Sequence, residues 1–372
     1  MDTPFGKFLE KNFFKKFFSI FILFSAAIGA VMNTHAVKIL LQKDWLAYLI
    51  GILYLAMGIS ALMQNEIMKK WHNKKLETIM GIYSCFFIYD CMLLLLWLIF
   101  SCLVSMSHHI QTIGIFCIDL IAVIIVMAGY FHAKQIKYTS YSVHLGLKEN
   151  SYRIAMLSDI HLGVYEKHIL KIADKVNHLN PDLVVICGDL IDVNNHILED
   201  DKELAKISSV FQKIKAKDGV FAVLGNHDPN IANKRFHDFL NASHIQLLHN
   251  QVIQISGLNL VGRTDASNNE RCSMESLATQ IHPALPTIVL DHNPAGIRQA
   301  IPFQVDLVLS GHTHKGQFIP VTYFTKLANG KHYFYGHEQF GKTHAIISSG
   351  AGFFQLPVRI GTSNEIVDLH LT

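Results

Sequence analysis

Two kinds of hydrophobic pattern divide the chain. Residues 1–131 hold four long apolar stretches, roughly Phe13–Val31, Trp45–Met63, Ile79–Met106 and Ile110–Phe131, each about long enough to cross a bilayer. From residue 153 the apolar runs shorten. Arg153–Leu157, Leu183–Cys187, Val220–Leu224, Thr287–Leu290 and Val305–Leu309 read as buried strands. Between them lie amphipathic segments. Glu166–Leu179 puts Ile169, Ile172, Ala173, Val176 and Leu179 on one helical face, and Leu198–Ala216 does the same with Leu204, Ile207, Val210, Phe211 and Ile214. Pro181 stops the first of these helices before the next strand. Strand–helix alternation predicts an α/β sheet. After Gly316 the pattern turns strand-like, at Phe318–Val321, Tyr333–Tyr335, Ala345–Ser348 and Glu365–Leu371.

The expected layout is a transmembrane region over 1–131, a linker with a first edge strand over 132–152, and an α/β domain over 153–372. The edge strand is read from the alternation in Ile136-Lys137-Tyr138-Thr139. Fully extended, this linker would reach roughly 60 Å at about 3.3 Å per residue.

Composition supports the division. Half of the 372 residues are hydrophobic and only 16% are charged, against about 25% in ordinary soluble proteins. Lysines place one set of loops on the cytoplasmic side. Lys7, Lys11, Lys15 and Lys16 precede the first stretch, Lys69, Lys70, Lys74 and Lys75 separate the second from the third, and Lys134 and Lys137 follow the fourth. The opposite loops carry only Lys38 and Lys43. The expectation is a multi-pass protein of the inner (plasma) membrane with its C-terminal domain in the cytoplasm. The first stretch also resembles a signal peptide, but three further stretches favour a retained helix. Asp90 and Asp119 fall mid-stretch, as a helix-packing pair or as part of a proton or ion path.

Net charge splits too. Residues 1–150 carry 13 Lys+Arg against 8 Asp+Glu (+5), and residues 151–372 carry 19 against 21 (−2). The second half lacks the basic excess of a nucleic-acid footprint, so no nucleic-acid partner is expected. Six cysteines without a C-x-x-C spacing point to neither a zinc–thiolate site nor a disulfide framework.

The chemistry lies at the strand ends. The five buried runs lead into Ser158-Asp159-Ile160-His161, Gly188-Asp189-Leu190-Ile191-Asp192, Gly225-Asn226-His227-Asp228, Asp291-His292-Asn293-Pro294 and Ser310-Gly311-His312-Thr313-His314. Carboxyl ends of sheet strands open onto a shared crevice where ligands bind. Carboxylate, amide and imidazole without thiolate favour Mn²⁺, Fe²⁺ or Zn²⁺ over copper or iron–sulfur. Seven such side chains exceed one ion's coordination, so two divalent ions are expected, sharing one carboxylate. Such a pair activates water and clamps both oxygens of a phosphoryl transfer.

These five blocks, in this order, resemble the calcineurin-like metallophosphoesterases. Ser310–Gln317, and Leu356–Gly361 followed by Glu365-Ile366, look like the bacterial YaeI/YkuE-type branch. That branch includes enzymes similar to UDP-2,3-diacylglucosamine pyrophosphatases, and the N-terminal half resembles the layout of its membrane-anchored members. The resemblance covers about residues 140–372 and implies two mixed β-sheets flanked by helices, an α/β/β/α sandwich. It also implies Asp159, His161 and His314 on the first metal, Asn226, His292 and His312 on the second, and Asp189 bridging them. His227 would protonate the leaving oxygen, with Asp228 orienting its ring. The function implied is hydrolysis of a phosphate ester or pyrophosphate by hydroxide held between the metals. Its substrate would be a phosphorylated small molecule or a lipid-linked one such as UDP-2,3-diacylglucosamine. Two alternatives stand beside it: a tethered hydrolase of soluble phosphodiesters or phosphoproteins, and a membrane transporter or sensor with a regulatory phosphoesterase domain.

Four further positions stay open. Lys315 stands where the branch usually has Gly, and either touches a substrate phosphate or is solvated. Asp192 reads as a structural residue or as a partner of a metal-ligand histidine. Arg263 and Asp265 either border the pocket or pair in a loop. Phe353, Phe354 and Leu356, near Arg359, form either a lip toward a lipid or part of the core.

Overall fold

The computed structural model describes the backbone of residues 4–71, 74–147, 151–162, 166–192 and 196–372. Side chains are described there too, apart from several within 4–25 and 61–74 and that of Leu41. The side chains of Lys7, Lys11, Lys15, Lys16, Lys69, Lys70 and Lys74 lie outside the described residues, as do residues 148–150 of the expected linker. The chain forms two compact units, Met1–Gly129 and Tyr130–Thr372.

The first unit is helical: α1 (Pro4–Leu41), α2 (Asp44–Trp71), α3 (Lys74–Leu103) and α4 (His108–Ala133), whose last turn passes into the second unit. Small residues set the approach of the helices, as in lipid-embedded bundles. A Cβ at Gly29 would overlap the Tyr54 ring, and one at Gly58 would press on Ala26 and Phe87. The interior also holds polar groups. Tyr54 Oη donates to Asp90 Oδ2, and Asp90 is fully buried.

Four membrane spans were expected. Among the described residues, three helices are long and apolar enough to cross a membrane: Ile22–Leu40, Lys75–Leu103 and His108–Ala133. The second stretch does fold as α2, but its described apolar run, Asp44–Ser60, is shorter than that. A span needs about 20 residues, and the side chains of Ala61 and Leu62, which would extend the run, lie outside the described residues. Polar Gln64, Asn65 and Glu66 then end it.

The first strand of the second unit is β1 (Ile136–Val143), which lies within the segment read as linker and first edge strand. The following elements are β2 (Tyr152–Leu157), α5 (Glu166–Leu179), β3 (Leu183–Cys187), α6 (Asp201–Phe211), β4 (Val220–Val223), α7 (Lys234–Ala242), β5 (Ile245–Leu247), β6 (Gln251–Ile255), β7 (Leu258–Arg263), α8 (Met274–Ala278), β8 (Thr287–Asp291), α9 (Ala295–Ala300), β9 (Leu307–Ser310), α10 (Val321–Asn329), β10 (Gly336–Phe340), β11 (Thr343–Ile347) and β12 (Asn364–Leu371). They build two six-stranded mixed sheets, ordered β1-β12-β2-β3-β4-β5 and β10-β11-β9-β8-β7-β6.

Apolar runs on both strand faces force a layered packing. Alternate residues of β2, such as Ile154 and Met156, face the other sheet with Leu260, Leu290, Leu309 and Ile346. The intervening Ala155 and Leu157 pack with α5, α6 and α7 through Ile172, Val176, Ile207 and Phe236. Behind the second sheet, Val261, Val289 and Val308 meet Leu277 of α8 and Ile297 of α9. The result is an α/β/β/α sandwich with β2, β3 and β4 parallel in one sheet and β7, β8 and β9 parallel in the other.

Three local expectations differ from the structure. The helix read over Leu198–Ala216 is shorter, because the Asp200 side chain caps the helix by accepting from Glu203 N–H. Phe318–Val321 is not a strand. Phe318 makes one bridge to Ile360, then Pro320 interrupts and Thr322 N–H bonds back to Phe318 O to begin α10. Tyr333–Tyr335 is a short turn before β10, where apolar aromatic composition did not decide between turn and strand.

Candidate metal centre

The carboxyl ends of β2, β3, β4, β8 and β9 bring together all seven residues singled out as metal ligands. Asp159 and His161 follow β2, Asp189 follows β3, Asn226 follows β4, His292 follows β8, and His312 and His314 follow β9. The backbone pays locally for this convergence. Asp159, His161, Asp189, His312 and His314 all adopt positive φ, between 49° and 72°. Each such non-glycine position costs of order 1–3 kcal/mol and persists only where surrounding structure enforces it. The enforcing bonds run between loops: Asp159 N to Gly188 O (3.0 Å), His161 N to Asp189 O (3.0 Å) and Gly311 N to His292 O (3.0 Å). Gly311 is required by closeness, because a Cβ there would overlap Ser158 Oγ and Asp159 Oδ2.

Two donor sets share one carboxylate. In the first, His314 Nε2 lies 3.3 Å from Asp159 Oδ1 and 3.1 Å from His161 Nε2, which is 3.7 Å from Asp189 Oδ2. These four residues are buried, and their ligand atoms lie within 4.8 Å of one another. In the second, His292 Nε2 is 3.3 Å from the same Asp189 Oδ2 and 3.2 Å from Asn226 Oδ1. His312 Nδ1 is 2.7 Å from Asn226 Oδ1 and 3.3 Å from His292 Nε2.

Electrostatics fit the first set to a divalent cation. Burial pushes His161 and His312 down to about 4 and His314 well below its ordinary value, so these imidazoles present lone pairs. The Nε2 atoms of His161 and His314 face each other while both Nδ1 atoms are buried without partners. Two facing lone pairs beside two carboxylates want a cation between them. Burial pushes Asp159 up to about 6, against the pull of His292. Burial also opposes ionisation of Asp189, yet His292, His161 and the His227 amide outweigh it and hold Asp189 well below the usual carboxylate range. His292 is the counterpart. Burial lowers it, but Asp189, Asp159 and Asp265 raise it well above the ordinary value. Its Nδ1–H donates to Cys187 O at 2.8 Å, which leaves Nε2 aimed at Asp189 and Asn226.

The residues expected to handle the proton part company. His227 lies beside the first set, with its ring centroid 5.4 Å from that of His161. Asp228 does not orient it. The two Asp228 oxygens accept from Ile191 N and Gly225 N, both at 2.8 Å, which ties the β3 and β4 loops together. The carboxylate facing His227 Nδ1 is Asp192, at 3.9 Å. Adjacent position in the sequence favoured Asp228, whereas the loop fold turns it inward.

The remaining candidates resolve as follows. Lys315 lies over the Tyr335 ring, 3.9 Å from its centroid, and has φ 51°, which explains why glycine suits this position. Arg263 does not border the pocket. It is buried and joins Arg271 on Asp291 Oδ2, at 3.3 and 2.6 Å. Asp265 does line a cleft of about 410 Å³ beside Asn226, together with Asn230, Ser267, Asn268 and Glu270. The Phe354 ring lies 4.6 Å from that of His227 and 5.3 Å from that of His161. Arg359 is buried and serves backbone carbonyls rather than a lip. Gln317, which closes the Ser310–Gln317 run but carries no role read from the sequence, clamps Phe354 and Leu356 with its amide through three hydrogen bonds of 2.7–3.1 Å. A buried amide is recognisable only once its partners are in place.

A family model described as Calcineurin-like phosphoesterase matches residues 152–316. An uncharacterised metallophosphoesterase of Helicobacter pylori (strain J99) is 33% identical over 243 residues, covering 62% of this chain and 62% of the relative. One from Campylobacter jejuni is 28% identical over 377 residues, covering 95% and 99%. A Danio rerio relative named "Transmembrane protein with metallophosphoesterase domain" is 30% identical over 244 residues, covering 60% and 53%. The chain thus spans under two thirds of the Helicobacter and Danio relatives it matches.

Proposed function

We propose that the chain, whose residues 152–316 match the model described as Calcineurin-like phosphoesterase, is a metal-dependent phosphoester hydrolase tethered to a membrane. The observation that carries this reading is the meeting of two donor sets at Asp189 Oδ2, 3.3 Å from His292 Nε2 and 3.7 Å from His161 Nε2. Asp159, His161 and His314 would hold one divalent ion and Asn226, His292 and His312 the other, with Asp189 serving both. The nitrogen and oxygen donors suit Mn²⁺ best, with Fe²⁺ or Zn²⁺ also compatible. When bound, such a pair supplies Lewis acidity to the phosphoryl oxygens and acidity to water.

The chain's own groups complete the reaction. His227 is positioned to give a proton to the leaving oxygen, the step for which an imidazole suits neutral pH. Asp192, 3.9 Å from its Nδ1, is the carboxylate that faces this ring. Phe354 lies against His161 and His227, with ring centroids 5.3 and 4.6 Å away.

For substrate, the reading is a phosphate ester or pyrophosphate at the membrane, such as a lipid-linked nucleotide like UDP-2,3-diacylglucosamine. The three apolar helices and the transmembrane relative support a membrane setting. Lys134 and Lys137 after α4, with Lys69, Lys70, Lys74 and Lys75 where α2 ends and α3 begins, support a cytoplasmic domain. A second reading, a soluble phosphodiester, is favoured by the cleft beside Asn226, whose Asn230, Ser267, Asn268 and Glu270 offer hydrogen bonds to a hydrophilic group. The deciding experiment assays the full-length protein with Mn²⁺ on UDP-sugar lipids, isoprenoid phosphates, nucleotides, phosphopeptides and bis-p-nitrophenyl phosphate. Turnover of soluble diesters alone would sink the lipid reading. Absence of all turnover would sink the hydrolase.

A further inference from the structure

The helix after the His312/His314 loop has no obvious role in the metal centre. α10 buries none of its nine residues. Tyr323, Phe324 and Leu327 are 66%, 55% and 83% exposed, and beyond the end of α4 no other large hydrophobic side chain among the described residues is as much as half exposed. Ile319 adds to this apolar surface just ahead of the helix. Scattered exposed apolar residues need no explanation, but a contiguous set on one short helix does. Its charge is one-sided as well. Gly316 to His337 contains no Asp or Glu, while Lys326 and Lys331 flank the apolar face. An apolar helix face edged by lysines is complementary to an anionic lipid surface, where rings and aliphatic chains enter the acyl boundary and ammonium groups meet phosphates.

We propose that α10 with Ile319 is an interfacial docking element that lies in the surface of an anionic bilayer and presents the mouth of the metal centre to it. The helix is fixed to that mouth. A Cβ at Gly316 would overlap the Thr322 backbone, so the helix starts directly against the metal-ligand loop. Thr322 N–H bonds to Phe318 O, Ile319 N–H bonds to Ile360 O, and Gln317 holds Phe354, the ring that covers His227. On the membrane reading, the chain leaves the lipid just before β1, because β1 begins at Ile136, directly after an apolar helix ending at Ala133. The inference deepens the membrane reading above and fails separately from it.

The test uses the full-length chain in nanodiscs, with photoreactive p-benzoylphenylalanine in place of Leu327 and, as a control, in place of Phe303. The expected result is a lipid adduct on the Leu327 peptide in phosphatidylglycerol-containing discs and none at Phe303. Lys326→Glu with Lys331→Glu should lower the adduct yield roughly thirty-fold there, as two lysines lost from an anionic surface imply, and leave it unchanged in phosphatidylcholine discs. A protein stably inserted in the discs that gives no lipid adduct at Leu327, or no more than at Phe303, overturns docking while leaving the anchor intact. A protein–protein adduct at Leu327 overturns it in favour of a second copy covering the helix. Failure to insert at all overturns the membrane reading itself.

Discussion

Arg359 Nη1 donates to the carbonyl of His314 at 2.8 Å. The same buried guanidinium reaches Ser349 O at 2.8 Å, Gly352 O at 2.5 Å and Asn364 Oδ1 at 2.7 Å. It therefore fastens His314, a candidate metal ligand in left-handed conformation, to the loop that carries Phe354. Arg359→Met leaves these buried acceptors unpaired, at a cost of at least about 3 kcal/mol. The melting temperature of the solubilised protein should fall by roughly 6 °C or more. Arg359→Lys should recover less than half, since an ammonium lacks the planar fork. An unchanged melting temperature in Arg359→Met would refute the scaffold role.

The shared carboxylate predicts an asymmetry in metal content. Full-length protein should contain two ions per chain by elemental mass spectrometry. His292→Ala should retain about one, because Asp159, His161 and His314 remain. Asp189→Ala removes a ligand from both sets and should retain less than His292→Ala does. Equal and undiminished content in the two variants would reject Asp189 as the bridge.

Proton donation by His227 predicts dependence on the leaving group. General acid catalysis is worth about 10²–10⁴-fold, and it matters most where the departing oxygen is basic. His227→Asn should cost that much on an alkyl phosphodiester and far less on bis-p-nitrophenyl phosphate. Asp192→Asn should follow the same ordering with smaller losses, and Asp228→Asn should act through stability instead. Identical losses of kcat on both substrates in His227→Asn would show that it is not the acid.

Chelation gives an independent check. An ion that binds only the folded state stabilises it by about 4 kcal/mol at a thousand times its Kd. EDTA should lower the melting temperature and millimolar Mn²⁺ restore it. The apo domain should stay folded, because its three apolar clusters are built from sheet and helix faces rather than from the centre. A melting curve indifferent to chelator and Mn²⁺ would count against any resident metal.

Much of the domain was legible in the chain. The strands Leu183–Cys187 and Arg153–Leu157 and the helix Glu166–Leu179 follow from local periodicity, which is a property of neighbouring residues. The ligand types were legible for the same reason, since each closes a buried strand. Less legible was the stretch after Gly316. There Pro320 and the Thr322–Phe318 bond made a helix of residues whose composition reads as strand.

What the sequence determined by itself was therefore which residues reach the rim: buried strands must end there, and Asp, Asn and His stand at their ends. What only the tertiary structure decided was which groups meet. The Asp228 oxygens turn to the amides of Ile191 and Gly225, so Asp192 is left facing His227. Arg263 pairs with Asp291, and Arg359 is enclosed by carbonyls. Such partnerships join residues from different loops, and no spacing along one segment encodes them. The exposed face of α10 is likewise a fact of packing: Tyr323, Phe324 and Leu327 are apolar, yet the fold of the described residues leaves them mostly exposed.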